Sequence, residues 1–202
     1  MKFLIATNNS KKLLELNRIL NPLGIDVVSA KEMGINLDDV EETGTTFLEN
    51  AFIKANAGCS RSGIPTIADD SGLCVDALDG APGIYSARYG GDNATDEDKY
   101  NKLLSEMKNF EGDKRSAYFI CSIACVFPDG TKISAEGKCN GTIATIPDGN
   151  GGFGYDPVFL YNGISFGRLS AEEKDKVSHR GNALREFRDK LEKYMEENNV
   201  NK

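Results

Sequence analysis

Two short stretches of this sequence carry paired carboxylates: Asp69-Asp70, after the mostly apolar run Ile64 to Ala68, and Glu41-Glu42, before Thr43-Gly44. Residues able to reach a buried sheet deliver the first pair to the end of a strand, ahead of a Ser71-Gly72 turn, and crevices of α/β proteins form at such ends. Hard oxygen ligands gathered there suit Mg2+, which takes one or two carboxylates together with substrate phosphates. The alternative is a plain turn, because Asp, Ser and Gly cluster in turns through local hydrogen bonds.

Three further segments could bind an anionic or aromatic ligand. Thr7-Asn8-Asn9-Ser10-Lys11-Lys12 joins an apolar strand to a helix start, where main-chain N–H groups and the helix dipole attract anions. It lacks the glycines and the Lys-Ser/Thr pair of a Walker loop, so two solvated lysines at a helix start is the competing reading. Gly149 to Pro157 has Phe153 among closely spaced glycines, so the backbone can approach a flat ligand while the ring stacks on it. Asp156, before Pro157, is expected in an extended conformation where it accepts a hydrogen bond from a ring N–H; a surface loop with an apolar anchor competes. Lys174, His179 and Arg180 form a local cationic edge in an acidic chain, suited to an anion or a carbonyl, although a lone histidine is more often structural. Lys54 is placed to reach either acid pair or simply to snorkel.

The elements that must position these groups are legible from periodicity. Phe3 to Ala6 reads as a buried strand, followed by a helix that Ser10 could cap and that Pro22 and Gly24 close. Asp26 to Ser29 is a second strand. Thr46 and Glu49 make a capping box ahead of a helix with Phe47, Leu48, Ala51, Phe52 and Ala55 inward, ended by Gly63 and Pro65. A helix is expected over Thr95 to Met107, a loop at Gly80 to Gly83, and a strand covered on both faces over Ser116 to Phe127. Pro128-Asp129-Gly130 turns into a hairpin partner over Thr131 to Cys139, with further strands at Thr142 to Ile146 and Val158 to Leu160. Ser170 and Glu173 make another capping box, and the last helix starts near Asn182 with Leu184, Phe187, Leu191 and Met195 on one face.

Composition narrows the function classes. A chain of 202 residues with 40% hydrophobic and 27% charged residues suits a single globular domain. Lys plus Arg number 24 against 31 Asp plus Glu, a net charge of −7, which argues against a long polyanion such as duplex nucleic acid and so against a nuclease. The five cysteines show no metal-binding spacing and read as reduced, mostly buried thiols of a cytoplasmic protein. Met1 to Ala6 is too short an apolar run for a signal peptide, and no stretch approaches a membrane span.

Taken in order, these segments resemble the inosine triphosphate pyrophosphatase family. The matching stretches are Thr7 to Lys12, Glu41 to Gly44, Phe47 to Ala51, Ala68 to Leu73, Gly80 to Tyr89, Gly151 to Pro157 and Ser178 to Gly181, so nearly the whole chain is covered. The visible departure is Asn8, where glycine is frequent. The resemblance implies an α/β fold with a long mixed central sheet flanked by helices, forming one domain over residues 1–202 with two lobes around a central substrate cleft. It implies a cytoplasmic homodimer that hydrolyses ITP, dITP and XTP to the monophosphate and pyrophosphate with Mg2+, and acts on neither nucleic acid nor membrane. Carried over by match, Glu41 and Asp70 hold the metal and Asp70 takes the proton of the attacking water, supported by Glu42, Lys54 and Asp69. The substrate-binding residues are Thr7, Asn8, Asn9, Ser10, Lys11, Lys12, Ser71, Phe153, Gly154, Tyr155, Asp156, Lys174, His179 and Arg180. Within that set Thr7, Asn9, Lys12 and Lys174 hold phosphates, Phe153 stacks on the base, and Asp156, His179 and Arg180 read its edge. Rival readings are a related pyrophosphatase for pyrimidine or modified nucleotides and a non-catalytic nucleotide sensor.

Overall fold

The computed structural model describes residues 1–7 and 9–198; Asn8, one of the expected substrate contacts, lies outside the described residues. The fold is α/β, with a mixed seven-stranded sheet flanked by helices. The strands are β1 (Lys2–Ile5), β2 (Asp26–Ser29), β3 (Thr66–Val75), β4 (Ser116–Val126), β5 (Lys132–Ile143), β6 (Phe159–Tyr161) and β7 (Ile164–Ser165), in the order β2-β1-β3-β4-β5-β6-β7. β1 pairs in parallel with β2 and β3, whereas β5-β6 and β6-β7 are antiparallel. The helices are α1 (Ser10–Leu20), α2 (Phe47–Ser62), α3 (Asp96–Glu106), α4 (Ala171–Val177) and α5 (His179–Glu197).

The chain divides into two compact units. The first comprises Met1–Asp70, Cys121–Gly137 and the chain from Arg180 onward. Its strands alternate between two cores, as side chains two residues apart must. Phe3, Ile5, Ile67, Cys121, Ile123 and Cys125 pack with Leu16 and Leu20 of α1 and Leu184, Phe187 and Leu191 of α5. Leu4, Ala6, Ala68, Ala124 and Val126 pack instead with Ala51, Ala55 and Cys59 of α2. The small residues on α2 let it lie close to the strands: a Cβ added at Gly58 would sit 2.6 Å from Thr66 Cγ2. Continuing the same alternation sends Asp69 to the α1/α5 face and Asp70 to the α2 face.

The second unit comprises Ser71–Ile120 and Lys138–His179. Leu73, Val75, Leu103, Met107, Phe119, Phe159 and Phe166 form its core, with the Phe119 and Phe159 rings 4.6 Å apart. Arg115 is buried here without a carboxylate in its described contacts. Its guanidinium donates to the carbonyls of Met107, Phe110, Ile143 and Ala144, so it closes the C-terminal turn of α3 onto the end of β5. Gly141 lets β6 approach β5, since a Cβ there would lie 2.3 Å from the Leu160 carbonyl oxygen.

Several boundaries differ from those expected. β3 does not stop at the acid pair but runs on through Ser71-Gly72 to Val75, because Leu73 and Val75 are buried and the Ser86 hydroxyl accepts from the Leu73 N–H at 2.9 Å. Asn9, not Ser10, caps α1: its side-chain oxygen accepts from the N–H groups of Lys11 and Lys12. Thr142 and Ile143 belong to β5 rather than to a strand of their own. Asp156 begins a 3-10 turn, Asp156–Val158, instead of an extended segment. α5 begins at His179, so His179 and Arg180 lie in its first turn. The capping boxes of α2 and α4 form as expected.

All five cysteines are free and buried. Among the described residues no helix is long and apolar enough to cross a membrane.

Candidate active site

In the first unit, Asp69 is held between two cations. Lys12 Nζ lies 3.1 Å and Arg180 Nη2 3.0 Å from Asp69 Oδ2. Arg180 is 1% exposed and also pairs with Glu15 of α1, so Arg180, Asp69 and Glu15 are desolvated together beside a half-buried Lys12. Burial alone would push the Asp69 carboxyl up, but the Lys12 and Arg180 charges outweigh it and hold it far below the usual carboxylate range. Cys121 lies 4.0 Å away, its thiol pushed up to about 12 mainly by burial, so it stays protonated and inert.

Asp70 faces α2. Asn50 Nδ2 donates to Asp70 Oδ2 at 3.2 Å, and Lys54 Nζ lies 3.5 Å from Oδ1 and 3.1 Å from Glu42 Oε2. Burial raises the Asp70 carboxyl despite the opposing charges of Lys54 and Lys12. Asn50 also accepts from the Gly44 N–H at 2.8 Å, so one amide ties the loop that follows Glu41-Glu42 to the Asp70 carboxylate. The loop can come this close only without a side chain at position 44, where a Cβ would meet Asn50 Oδ1 at 2.7 Å. Glu41 is exposed beside Glu42. No group of three or more His, Cys, Asp or Glu side chains that could hold a metal occurs among the described residues. The donors that are present, carboxylate oxygens around a lysine, fit Mg2+ of the kind that takes one or two carboxylates and relies on substrate phosphates for the rest.

At the start of α1, Thr7 Oγ1 accepts from the Asn9 N–H at 3.2 Å, and Asn9 in turn caps the helix; Asn9, Ser10 and Lys11 are exposed.

In the second unit the glycine-rich loop folds back on Asp156. The Phe153 N–H donates to Asp156 Oδ2 at 2.7 Å, and Lys174 Nζ donates to the same oxygen at 2.7 Å while lying 4.7 Å from the centre of the Phe153 ring. Gly152 is required here, since a Cβ would fall 1.9 Å from that oxygen. The Tyr155 hydroxyl donates to the Ser86 carbonyl at 2.9 Å, and the Gly154 N–H to Asp96. His179 is buried and stacks on Phe119, ring centres 4.6 Å apart. Ser71 is half-buried on β3.

The structure therefore gathers Lys12, Glu42, Lys54, Asp69, Asp70 and Arg180 in one unit, and Phe153, Gly154, Tyr155, Asp156 and Lys174 in the other. Lys174, His179 and Arg180, expected as a local cationic edge, are all buried, and Lys174 is paired with Asp156 and Arg180 with Asp69 and Glu15. Sequence reasoning passed over Glu15, Asn50 and Asp96. The Lys12-to-Glu15 spacing of one helical turn, and a polar Asn50 within the inward face of α2, were the available signals.

A sequence model of the Ham1 family matches residues 3–190. A protein of Salmonella typhimurium strain LT2 named dITP/XTP pyrophosphatase is 47% identical over 194 residues, covering 94% of this chain and 98% of that one. A HAM1 protein from Coxiella burnetii superposes with a TM-score of 0.86 at 38% identity, over 96% of this chain and 99% of that one. The Staphylococcus aureus Ham1 protein does so with a TM-score of 0.84 at 39% identity, over 96% and 100%.

Proposed function

Because the chain belongs to the Ham1 family, we propose that it is a nucleoside-triphosphate pyrophosphatase that converts dITP, ITP and XTP to the monophosphate and pyrophosphate. The observation that carries this reading is Asp70, a buried carboxylate fixed by Asn50 and Lys54 next to an Asp69 locked between two cations. Water adds to the α-phosphorus, the α–β bridging P–O bond breaks, pyrophosphate departs, and the proton of the water passes to Asp70. Asp70 with Glu41 would hold Mg2+, with Glu42 in support, and the ion would neutralise phosphate charge as the leaving group departs. Lys12, with Thr7, Asn9, Ser10 and Lys11 at the N-terminus of α1, binds phosphate oxygens. Lys54 restrains Asp70 and Glu42 and adds positive charge. Asp69 keeps Lys12 and Arg180 in place.

Base selection falls to the glycine-rich loop with Lys174, and to His179 and Arg180. Phe153 stacks on the purine, with Gly154 and Tyr155 shaping the loop and Lys174 orienting Asp156. Asp156 accepts from the N1–H of a 6-oxopurine; adenine has no such hydrogen, so the carboxylate would be left without it. His179 and Arg180 supply donors for the 6-oxo group. In the same reading Ser71 contacts the substrate, the two units are lobes of one domain, and the enzyme works as a cytoplasmic homodimer, a compartment that suits five buried free thiols.

The test is pyrophosphate release from dITP, ITP and XTP against ATP, GTP and the pyrimidine triphosphates, with and without Mg2+. Preference for the deaminated purines over ATP by about a hundredfold or more in kcat/KM is expected; equal rates on pyrimidines would favour the rival pyrophosphatase, and binding without product would favour a sensor. Two substitutions divide the roles. Asn50→Ala leaves the Gly44 N–H and Asp70 each without its amide partner, and kcat on dITP should fall about 10–100-fold; a kcat within twofold of wild type would remove Asn50 from the account. Phe153→Ala should raise KM about 5–150-fold, from the loss of roughly 1–3 kcal/mol of stacking; an unchanged KM would end the stacking role.

A further inference from the structure

The loop carrying Phe153 is fastened at its base by near neighbours. The Gly151 N–H donates to the Gly167 carbonyl at 2.8 Å, and the Asp148 N–H to that of Pro157 at 2.8 Å. Gly149 packs so tightly on Gly167 that a Cβ would lie 2.3 Å from its carbonyl carbon. Beyond Phe153 the fastening comes from elsewhere in the chain. The N–H of Gly154, a residue at φ +63°, donates to Asp96 Oδ2 at 2.9 Å across a separation of 58 residues.

Asp96 is the first residue of α3 but does not cap it. That work is done by Thr95 and Asp98, whose side chains accept from each other's N–H groups. The Asp96 carboxylate is thus directed at Gly154 with one oxygen, while the other takes Lys99 Nζ at 3.1 Å. A carboxylate is a stronger acceptor for a main-chain N–H than a neutral oxygen. The helix beneath it is a firm base: Leu103 and Met107 are fully buried, and Arg115 grips the carbonyls of Met107 and Phe110.

We propose that Asp96 is a positioning residue for purine recognition: by holding the Gly154 amide it sets the plane of the adjacent Phe153 ring, and Lys99 fixes Asp96 in turn. This rests on the stacking role proposed for Phe153. Phe153 N–H is held by Asp156 on one side and Gly154 N–H by Asp96 on the other, so both peptide groups flanking the Phe153 Cα are restrained and the direction of the Cα–Cβ bond that carries the ring is fixed. Without Asp96 the ring samples more orientations, and the base must select among them on binding.

The test measures kcat and KM for dITP, and Ki for inorganic tripolyphosphate, which has no base. Asp96→Ala should raise KM about tenfold, as the loss of one charge-assisted hydrogen bond predicts, with kcat within about twofold. Asp96→Asn, which keeps an oxygen acceptor, should recover most of that rise, and Lys99→Ala should shift KM the same way by less. Ki for tripolyphosphate should not move. Added to Phe153→Ala, Asp96→Ala should have no further effect, since the ring it positions is gone. An Asp96→Ala enzyme with wild-type KM, while Phe153→Ala raises KM, overturns the inference and leaves the stacking role standing. A Phe153→Ala enzyme with wild-type KM overturns the stacking role and this inference with it. A parallel rise in the tripolyphosphate Ki also overturns it, by making the effect of Asp96 general. If Asp96→Ala does not fold, Lys99→Ala and Asp96→Asn still decide: a wild-type KM for Lys99→Ala, or a full loss in Asp96→Asn, counts against it.

Discussion

Asp70→Asn should lower kcat on dITP by about a thousandfold or more, because one substitution removes the carboxylate proposed both to take the proton of the water and to help hold Mg2+. The protein should nevertheless fold as well as wild type, or slightly better. Burial raises the Asp70 carboxyl in the folded state, so its charge is held there at a cost, and the neutral isostere relieves that cost. The sign matters: a carboxyl raised on folding favours the native state more at low pH, and near neutral pH its removal does not destabilise. The amide also keeps an oxygen for the Asn50 donor, now 3.2 Å from Oδ2. The measurements are single-turnover pyrophosphate release and thermal melting. Turnover within about tenfold of wild type would show that Asp70 is not the base.

Asp69→Asn has the opposite profile. Asp69 is buried between Lys12 and Arg180, and replacing it leaves the buried Arg180 and the half-buried Lys12 facing an amide, with Glu15 as the remaining described acid. Breaking a buried pair in this way costs about 3–5 kcal/mol, or roughly 6–20 °C in Tm for a chain of this size. The Asp69 carboxyl is lowered on folding: burial opposes this, but Lys12 and Arg180 prevail. Its contribution to stability is therefore complete above the unfolded-state pKa of about 3.9 and is lost progressively as pH falls below it. Wild type should lose stability below about pH 4 more steeply than Asp69→Asn, the two melting curves converging in acid. A variant with wild-type Tm at pH 7 would mean that the four-charge cluster adds nothing to the fold. Arg180 is held by the same cluster, so nucleotide binding should weaken as well.

Much of the frame was legible because it depends on short-range patterns. The β1-α1-β2 opening, the capping boxes at Thr46-Glu49 and Ser170-Glu173, and the inward faces of α2 and α5 follow from spacing that any window of the sequence contains. Where reading failed, a distant partner had overridden local preference. Ser71-Gly72 looks like a turn, and Gly has little strand propensity, yet the strand continues because Leu73 and Val75 find a core and the Ser86 hydroxyl receives the Leu73 N–H. Lys174 and Arg180 looked like a cationic edge without ion-pair partners because their carboxylate partners are remote in sequence. Arg180 meets Glu15 from 165 residues away and Asp69 from 111, and no periodicity encodes such a pairing. Asn50 and Asp96 went unseen for the same reason: each looks ordinary on its own helix and matters through a main-chain N–H elsewhere, Gly44 for one and Gly154 for the other.

Hydrolysis of dITP in 18O-labelled water is the most direct test of water attack at the α-phosphorus with pyrophosphate as leaving group. One label in the deoxyinosine monophosphate and none in the pyrophosphate is the predicted result. Label in the pyrophosphate, or release of orthophosphate with the diphosphate left behind, would contradict the assignment of the reacting phosphorus and with it the roles given to Asp70 and its neighbours.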